Sequence, residues 1–122
     1  MTTFELARKL KEYPSINNNM AVLNKRIGEL LKMRYESGMA NQYCDEVKEM
    51  ADEIMAYQKQ THAVDTFMRK MLRADPLEHL IICSLYFKRA GWKKTATRAG
   101  YTIRGAQKYH KRAMEKAVQL WE

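Results

Sequence analysis

Apolar side chains recur with a regular period between about Met39 and Ala74. The spacings alternate between four and three residues, which is the heptad pattern of a coiled-coil helix, and charged residues fill many of the positions between them. At about 1.5 Å per residue, such a helix would extend about 50 Å. We predict one long helix whose seam binds a second copy or another protein; the simpler alternative is a scaffold that only supplies core to a small domain. The predicted interface residues are Tyr43, Val47, Met50, Ile54, Tyr57, Val64 and Met68, and Thr61 and Met71 continue the register.

Two shorter helices are predicted ahead of this segment. Thr2, with a glutamate three residues later, has the spacing of a capping box and begins a helix that Pro14 ends. Ser15 caps a second helix, which closes at Gly38. We expect the second helix and the long helix to fold back on each other as an antiparallel hairpin about Gly38. Residues 1–74 would then form a helical coiled-coil arm.

The last third of the chain, residues 75–122, begins with a strong helix start. Asp75 is a good N-cap, and Pro76 occupies the first helical position, where its missing N–H costs nothing. Glu78 completes the spacing of a capping box. This helix is predicted to end at Gly91.

Two further helices follow, with a tight turn between them. The first is predicted from Trp92 to Ala99, Gly100 supplies a left-handed turn residue, and Thr102 caps a helix that reaches about Leu120. Two helices joined by a short turn that contains glycine are typical of a helix-turn-helix, whose second helix enters the major groove of DNA. The predicted fold class is all-α: an N-terminal helical hairpin or coiled-coil arm, followed by a C-terminal three-helix helix-turn-helix domain.

The last of these helices has two different faces. One is apolar at helical spacing and is predicted to point inward, at Ala106, Tyr109, Ala113, Ala117 and Leu120. The other is almost entirely cationic or amide, and such side chains reach base edges and phosphates. A solvated cationic face on an ordinary helical bundle is the simpler alternative. The outward residues are Arg104, Gln107, Lys108, Lys111 and Arg112.

The distribution of charge favours a nucleic-acid partner. The chain has a net charge of +8, and from Lys88 onward it contains ten lysines and arginines against Glu115 and Glu122. The first 87 residues contain twelve basic and twelve acidic residues, so the whole excess lies on the predicted DNA-binding segment. A confined basic excess indicates a polyanionic partner. A membrane surface is a poor candidate, because the basic helix lacks the broad apolar face that interfacial binding requires.

The run from Gly91 to Ala117 resembles region four of bacterial sigma factors, the helix-turn-helix that reads the upstream promoter element. Small proteins with a helical front half and such a C-terminal domain are similar to the late-gene transcription activators of Gram-positive phages, of the RinA and ArpU type. The resemblance implies a phage or prophage regulator in which Arg104, Gln107 and Lys108 fall at base-reading positions. The matching residues are Ala96, Gly100, Thr102, Gln107, Lys108, Lys111, Arg112, Ala113 and Met114.

The two last helices together give a set of candidate DNA contacts. Side chains at the start of the second helix would meet backbone phosphates, helped by the helix dipole, and the third helix would face bases and further phosphates. Thr95, in this set, stands where the sigma family has an aliphatic residue. The predicted DNA-binding residues are Lys93, Lys94, Thr95, Thr102, Arg104, Gln107, Lys108, Lys111 and Arg112.

The sequence leaves two other functions open. A phage DNA-packaging protein of the small-terminase kind also combines a helix-turn-helix with oligomerising helices. A sigma-like domain that docks on RNA polymerase or on another regulator, without reading DNA, belongs to a different class. A homo-oligomer, with a dimer favoured, suits DNA reading because paired half-sites double the specific contacts.

The sequence contains no recognisable catalytic or metal-binding motif. His62, His79 and His110 are far apart and lack ligand partners at metal spacing, and Cys44 and Cys83 stand alone. We therefore expect no enzyme activity, no cofactor and no metal. No apolar run reaches membrane-spanning length, and we expect no signal peptide because the first residues lack its apolar core. Two unpatterned cysteines suggest reduced thiols, so the expected location is the cytoplasm of a bacterial host cell.

Overall fold

A computed structural model describes residues 1–37 and 44–121, and no strand occurs within these ranges. The protein is all-helical, as predicted. A π-helical turn, Cys83–Phe87, continues the third helix, and a 3₁₀ turn, Val118–Trp121, follows the last one. The helices are α1 Thr3–Ser37, α2 Cys44–Ala74, α3 Pro76–Ile82, α4 Gly91–Ala99 and α5 Ile103–Ala117.

The prediction that Pro14 separates two helices is wrong, because α1 runs through it without a break. A proline inside a helix costs about 3 kcal/mol. The residue before it, Tyr13, is held in place by tertiary contacts: its ring lies 4.9 Å from that of Phe87, and its hydroxyl donates to Asp65 at 2.5 Å. These contacts offset the local preference for a break. The predicted turn about Gly38 and the predicted start of the long helix at Met39 lie outside the described residues.

The described helices pack in two groups. One group contains residues 14–62, in which Leu30, Ile54 and Thr61 are buried. The other contains residues 1–13 together with 63–121. The predicted division, between residues 74 and 75, separates a helical arm from a DNA-binding domain by sequence pattern and expected function. The grouping by packing differs from it. The core of the second group consists of Leu6, Leu10, Val64, Phe67, Met68, Met71, Ile82, Tyr86, Met114 and Ala117.

The predicted signals at the ends of the C-terminal helices are largely confirmed. The Oδ1 atom of Asp75 accepts a hydrogen bond from the Glu78 backbone N–H at 3.1 Å, and Pro76 opens α3. Gly100 is left-handed, with φ 75°. Thr102 Oγ1 accepts from the Gly105 N–H at 3.1 Å at the start of α5. These local bonds fix where each helix starts and ends.

The predicted inward face of α5 needs correction. The buried positions are Ala106, His110, Met114 and Ala117, while Tyr109, Ala113 and Leu120 are only half-buried. The prediction selected apolar residues and left out His110, because a histidine is rarely assigned to a core stripe. Its ring is nevertheless buried, because α3 and the π-helical turn supply polar partners for both of its nitrogens.

Candidate nucleic-acid interface

The turn between α4 and α5 is fixed by its own backbone hydrogen bonds. The Gly100 N–H donates to Thr97 O at 3.2 Å, and the Tyr101 N–H donates to Ala96 O at 3.0 Å. This pair of bonds, with a left-handed residue between helix and turn, is the Schellman arrangement that ends a helix. Thr102 then has extended backbone geometry, as an N-cap requires. Only three residues therefore separate the two helices, and their relative orientation is constrained.

The cationic residues predicted to contact DNA lie at the surface. Arg104, Gln107, Lys108, Lys111 and Arg112 are exposed on α5, and Lys93 and Lys94 are exposed in the first turn of α4. Within residues 1–37 and 44–121, none of these cations forms an ion pair with a carboxylate. Their charges are thus available to an external anion.

The first turns of α4 and α5 both favour an anion. Neither contains an acidic residue, and no side chain caps the N-terminus of α4. The backbone N–H groups of a first helical turn carry partial positive charge and have no partner inside the helix. Lys93 and Lys94 add to that potential. The start of α4 is therefore a chemically suitable place for a phosphate group.

Thr95 does not belong to this surface, so its predicted contact with phosphate is wrong. Its side chain is fully buried, and its hydroxyl lies 2.9 Å from Ser84 Oγ. Arg98 also donates to Ser84, at 2.8 Å. These bonds attach α4 to the π-helical turn.

A buried polar chain that sequence reasoning missed connects α5 to α3. The Nδ1 atom of His110 is hydrogen-bonded to Glu78 Oε1, and its Nε2 lies 2.9 Å from the Tyr86 hydroxyl. Glu78 is fully buried, its Oε1 is hydrogen-bonded to His110 and its Oε2 has no partner, so this side chain does not close the predicted capping box. The ring centroid of Trp92 lies 5.5 Å from that of His110, at an edge-on angle. The three polar groups fix α5 against α3 and the π-helical turn.

Burial controls the acid–base properties of this chain. It raises the pKa of Glu78, and the hydrogen bond and charge of His110 act in the opposite direction. Burial and, to a lesser extent, the charge of Glu78 raise the pKa of Tyr86. Among the described residues, Glu78 Oε2 is a buried side-chain atom without a hydrogen-bond partner. A buried, incompletely paired carboxyl group costs folding free energy when it is ionised.

A second polar contact connects the middle of α5 to the start of α3. The Tyr109 hydroxyl donates to Asp75 Oδ1 at 2.7 Å and to Oδ2 at 2.8 Å. This hydrogen bond is the main reason that the pKa of Tyr109 is raised to about 12. The ring of Tyr101, in the turn, stacks on Tyr109 with centroids 6.1 Å apart. Asp75 thus both caps α3 and holds α5.

The predicted oligomer interface is reduced by the structure. Val64 and Met68 are buried in the chain's own core, with 4% and 7% of their surface exposed, so they are unavailable to a partner. Ile54 is also buried within the chain, with 8% exposed. Val47, Met50 and Tyr57 are half-buried. Tyr43 lies outside the described residues. A heptad pattern identifies the buried face of a helix, but it does not distinguish an internal partner from an external one.

Other kinds of site receive no support within the described residues. No three side chains among His, Cys, Asp and Glu are grouped closely enough there to hold a metal ion. Cys83 is a half-buried free thiol with Sγ 3.8 Å from His79 Nδ1, and burial raises its pKa. None of the described helices has the length and apolar character needed to cross a membrane.

The chain was compared with family models, with curated proteins and with solved structures. No family model matches this chain, and no curated protein or solved structure shows significant similarity to it.

Proposed function

We propose that this protein is a sequence-specific double-stranded DNA-binding regulator of transcription, in which α3, α4 and α5 form a helix-turn-helix domain. In this proposal α5 is the recognition helix and enters the major groove. The sigma region four resemblance suggests a late-gene activator of a phage or prophage. Such a protein would act without enzyme activity or cofactor.

One observation carries the proposal: a short, fixed turn presents a helix whose outward face is mostly cationic or amide, with Ile103 and Glu115 as its other exposed residues. The turn residues Gly100 and Thr102 set the start of α5, and every cation of that face is exposed and unpaired with carboxylates among the described residues. Because the net positive charge is confined to this part of the chain, simple solubility is a weaker explanation than an anionic partner.

Each exposed residue then has a role that follows from its position. Arg104, Gln107 and Lys108 lie in the first two turns of α5, where a recognition helix contacts base edges. Lys93 and Lys94 would bind backbone phosphates beside the free N–H groups of α4. Thr102 keeps its capping role and lies at the point where α5 would approach the groove. Farther along α5, Lys111 and Arg112 would add phosphate contacts.

The half-buried stripe of α2 supports an additional partner in this proposal. Val47, Met50 and Tyr57 present apolar surface at heptad spacing, and methionine and tyrosine make adaptable contacts. A homodimer is favoured because it would place two recognition helices on paired half-sites. RNA polymerase is the other candidate for this stripe. Analytical ultracentrifugation tests the homodimer: a dimer supports it, a monomer excludes it and leaves RNA polymerase as the candidate partner, and a larger ring would favour a packaging protein of the small-terminase kind.

The deciding experiment is fluorescence anisotropy on DNA from beside the gene and on scrambled DNA, at low and physiological salt. A specific regulator is expected to discriminate by 10³-fold or more at physiological salt, as an order of magnitude for such proteins. The double variant Arg104→Ala/Gln107→Ala should lose that discrimination. Its matched control is Lys116→Ala/Gln119→Ala, which removes one cation and one amide from the exposed far end of the same segment. Equal binding to both DNAs that disappears with salt would instead favour a module that docks on protein.

A further inference from the structure

A cavity of about 490 Å³ lies beside the proposed DNA-binding surface. It is lined by Lys11 of α1, by Leu85 and Tyr86 of the π-helical turn, and by Arg89 and Trp92. Among the described residues that line it, two are cations and none is acidic. The Lys11 Nζ atom lies 6.0 Å from the centroid of the Tyr86 ring. The cavity therefore combines positive charge with apolar walls, which suits an anionic ligand that carries an apolar part.

Arg89 has a backbone conformation that indicates a role for its side chain. Its φ is 50°, in the left-handed region that favours glycine. The turn is defined by hydrogen bonds on both sides, from Lys88 N–H to Cys83 O and from Ala90 N–H to Ser84 O, each 2.9 Å long. Glycine would fit this turn with less strain. An arginine at such a position suggests that the guanidinium contributes something that glycine could not supply.

The position of the cavity connects it with the proposed DNA contacts. Trp92, in one wall, is the second residue of α4 and directly precedes Lys93 and Lys94. Arg89 lies two residues before α4 begins. A DNA strand whose phosphate meets Lys93 or Lys94 would bring a neighbouring phosphate toward this cavity, because each strand carries one phosphate about every 3.4 Å along the helix axis. The continuity favours the DNA backbone over a free small anion.

We propose that this cavity is a binding site for one backbone phosphate of the bound DNA, held by Lys11 and Arg89. The inference rests on the proposed function and extends the interface to α1, which sequence reasoning assigned to the arm. The Arg89 guanidinium matches phosphate geometry through paired N–H groups, and Lys11 contributes a point charge. Leu85 and Trp92 form the apolar walls against the adjoining deoxyribose. Since a phosphate carries no sequence information, the site strengthens binding to any DNA and fixes the register of α5.

The test uses Lys11→Ala, Arg89→Gly and the double variant of the full chain. Arg89→Gly removes the charge while keeping the left-handed conformation accessible, so its unfolding midpoint should equal or exceed that of the wild type. We expect the double variant to bind specific and scrambled DNA about tenfold more weakly alike, and its salt dependence to fall by about one phosphate equivalent. The charge-matched control is Lys25→Ala/Lys48→Ala, at two exposed positions in residues 14–62.

The outcomes separate this inference from the proposed function. If the wild type discriminates its DNA site and Lys11→Ala/Arg89→Gly binds like Lys25→Ala/Lys48→Ala, the proposed phosphate site is wrong and the proposed function as a regulator stands. If Lys11→Ala/Arg89→Gly loses affinity for DNA while Arg104→Ala/Gln107→Ala leaves affinity and discrimination unchanged, the proposed phosphate site stands and the proposal that α5 reads sequence is wrong. Absence of any DNA binding by the wild type overturns both. A last experiment titrates the protein with AMP and records the fluorescence of Trp92 in a Trp121→Phe background. Saturable binding of AMP that requires Lys11 and Arg89 would assign the cavity to a free nucleotide instead.

Discussion

The imidazole of His110 on α5 is hydrogen-bonded to the carboxyl group of Glu78 on α3, and both side chains are buried. The two residues are 32 positions apart in the chain. Their contact fixes the orientation of the helix whose opposite face carries the candidate base-reading residues. The stability of the fold and the presentation of that face therefore depend on the same pair.

Removing the Glu78 side chain should strongly destabilise this group of helices. Glu78→Ala leaves His110 without its Nδ1 partner and opens a space in a buried site, and breaking a buried pair in this way costs about 3 kcal/mol. Urea denaturation followed by circular dichroism measures the loss. Glu49→Gln, which changes an exposed carboxylate on α2, is the control and should differ from the wild type by less than about 0.5 kcal/mol. A loss as small as that for Glu78→Ala would contradict the buried pair.

Glu78 also gives the stability a predicted pH dependence. Its pKa is raised above 4.5, mainly by burial, so the folded protein holds the proton more tightly than the unfolded chain does. The contribution of the protonated Glu78 carboxyl group to the free energy of unfolding is fully present below pH 4.5. It is lost as the pH rises through the raised pKa of Glu78. Unfolding free energies of wild type and Glu78→Gln, measured from pH 4 to pH 8, test this. The wild type should lose stability relative to the variant as the pH rises, and parallel profiles would show that Glu78 does not titrate as described.

Tyr109 should ionise unusually late. Its hydrogen bond to Asp75 raises its pKa from 10 to about 12, so the stability that this bond contributes is complete below pH 10 and is lost as the pH rises toward about 12. Alkaline titration of phenolate absorbance, compared between wild type and Tyr109→Phe, isolates this one group. The difference between the two curves should rise near pH 12. A difference centred near pH 10 would mean that the Asp75 contact is not maintained in solution.

Thr95 should matter for stability and not for DNA affinity. Thr95→Val keeps the buried shape but removes the hydrogen bond to Ser84, which costs about 1 kcal/mol. Affinity for DNA should remain unchanged, because the Thr95 side chain is on the buried face of α4 and cannot reach a phosphate. Urea denaturation gives the free energy of unfolding, and fluorescence anisotropy on the same preparation gives the affinity for DNA. Weaker DNA binding at full stability would restore the original assignment of Thr95 to the interface.

Sequence reasoning succeeded where the physical cause is local. Asp75, Gly100 and Thr102 act through hydrogen bonds or backbone geometry within a few residues of themselves, so their roles follow from neighbouring residue types. The exposed cations of α5 were also predictable, because helical periodicity separates them from the apolar positions.

Sequence reasoning failed where distant partners decide the outcome. Pro14 has a strong local preference to end a helix, yet Tyr13 is held by contacts with Asp65 and Phe87, more than 50 residues away. The Glu78–His110 pair joins two polar residues that no local pattern assigns to a core. Val64 and Met68 follow the heptad pattern correctly, but they share a core with Leu6 and Leu10 of the same chain, where a second copy or another protein was predicted.

The shared core of residues 1–13 and α5 has a consequence for biosynthesis. Leu6 and Leu10 belong to the same cluster as Met114 and Ala117, which the ribosome adds about a hundred residues later. Until α5 has left the ribosomal exit tunnel, Leu6 and Leu10 lack part of their native core, so their side chains remain exposed and accessible to chaperones. Folding of this group of helices must therefore follow synthesis of α5, and a fragment that begins at residue 75 would lack an essential part of its core.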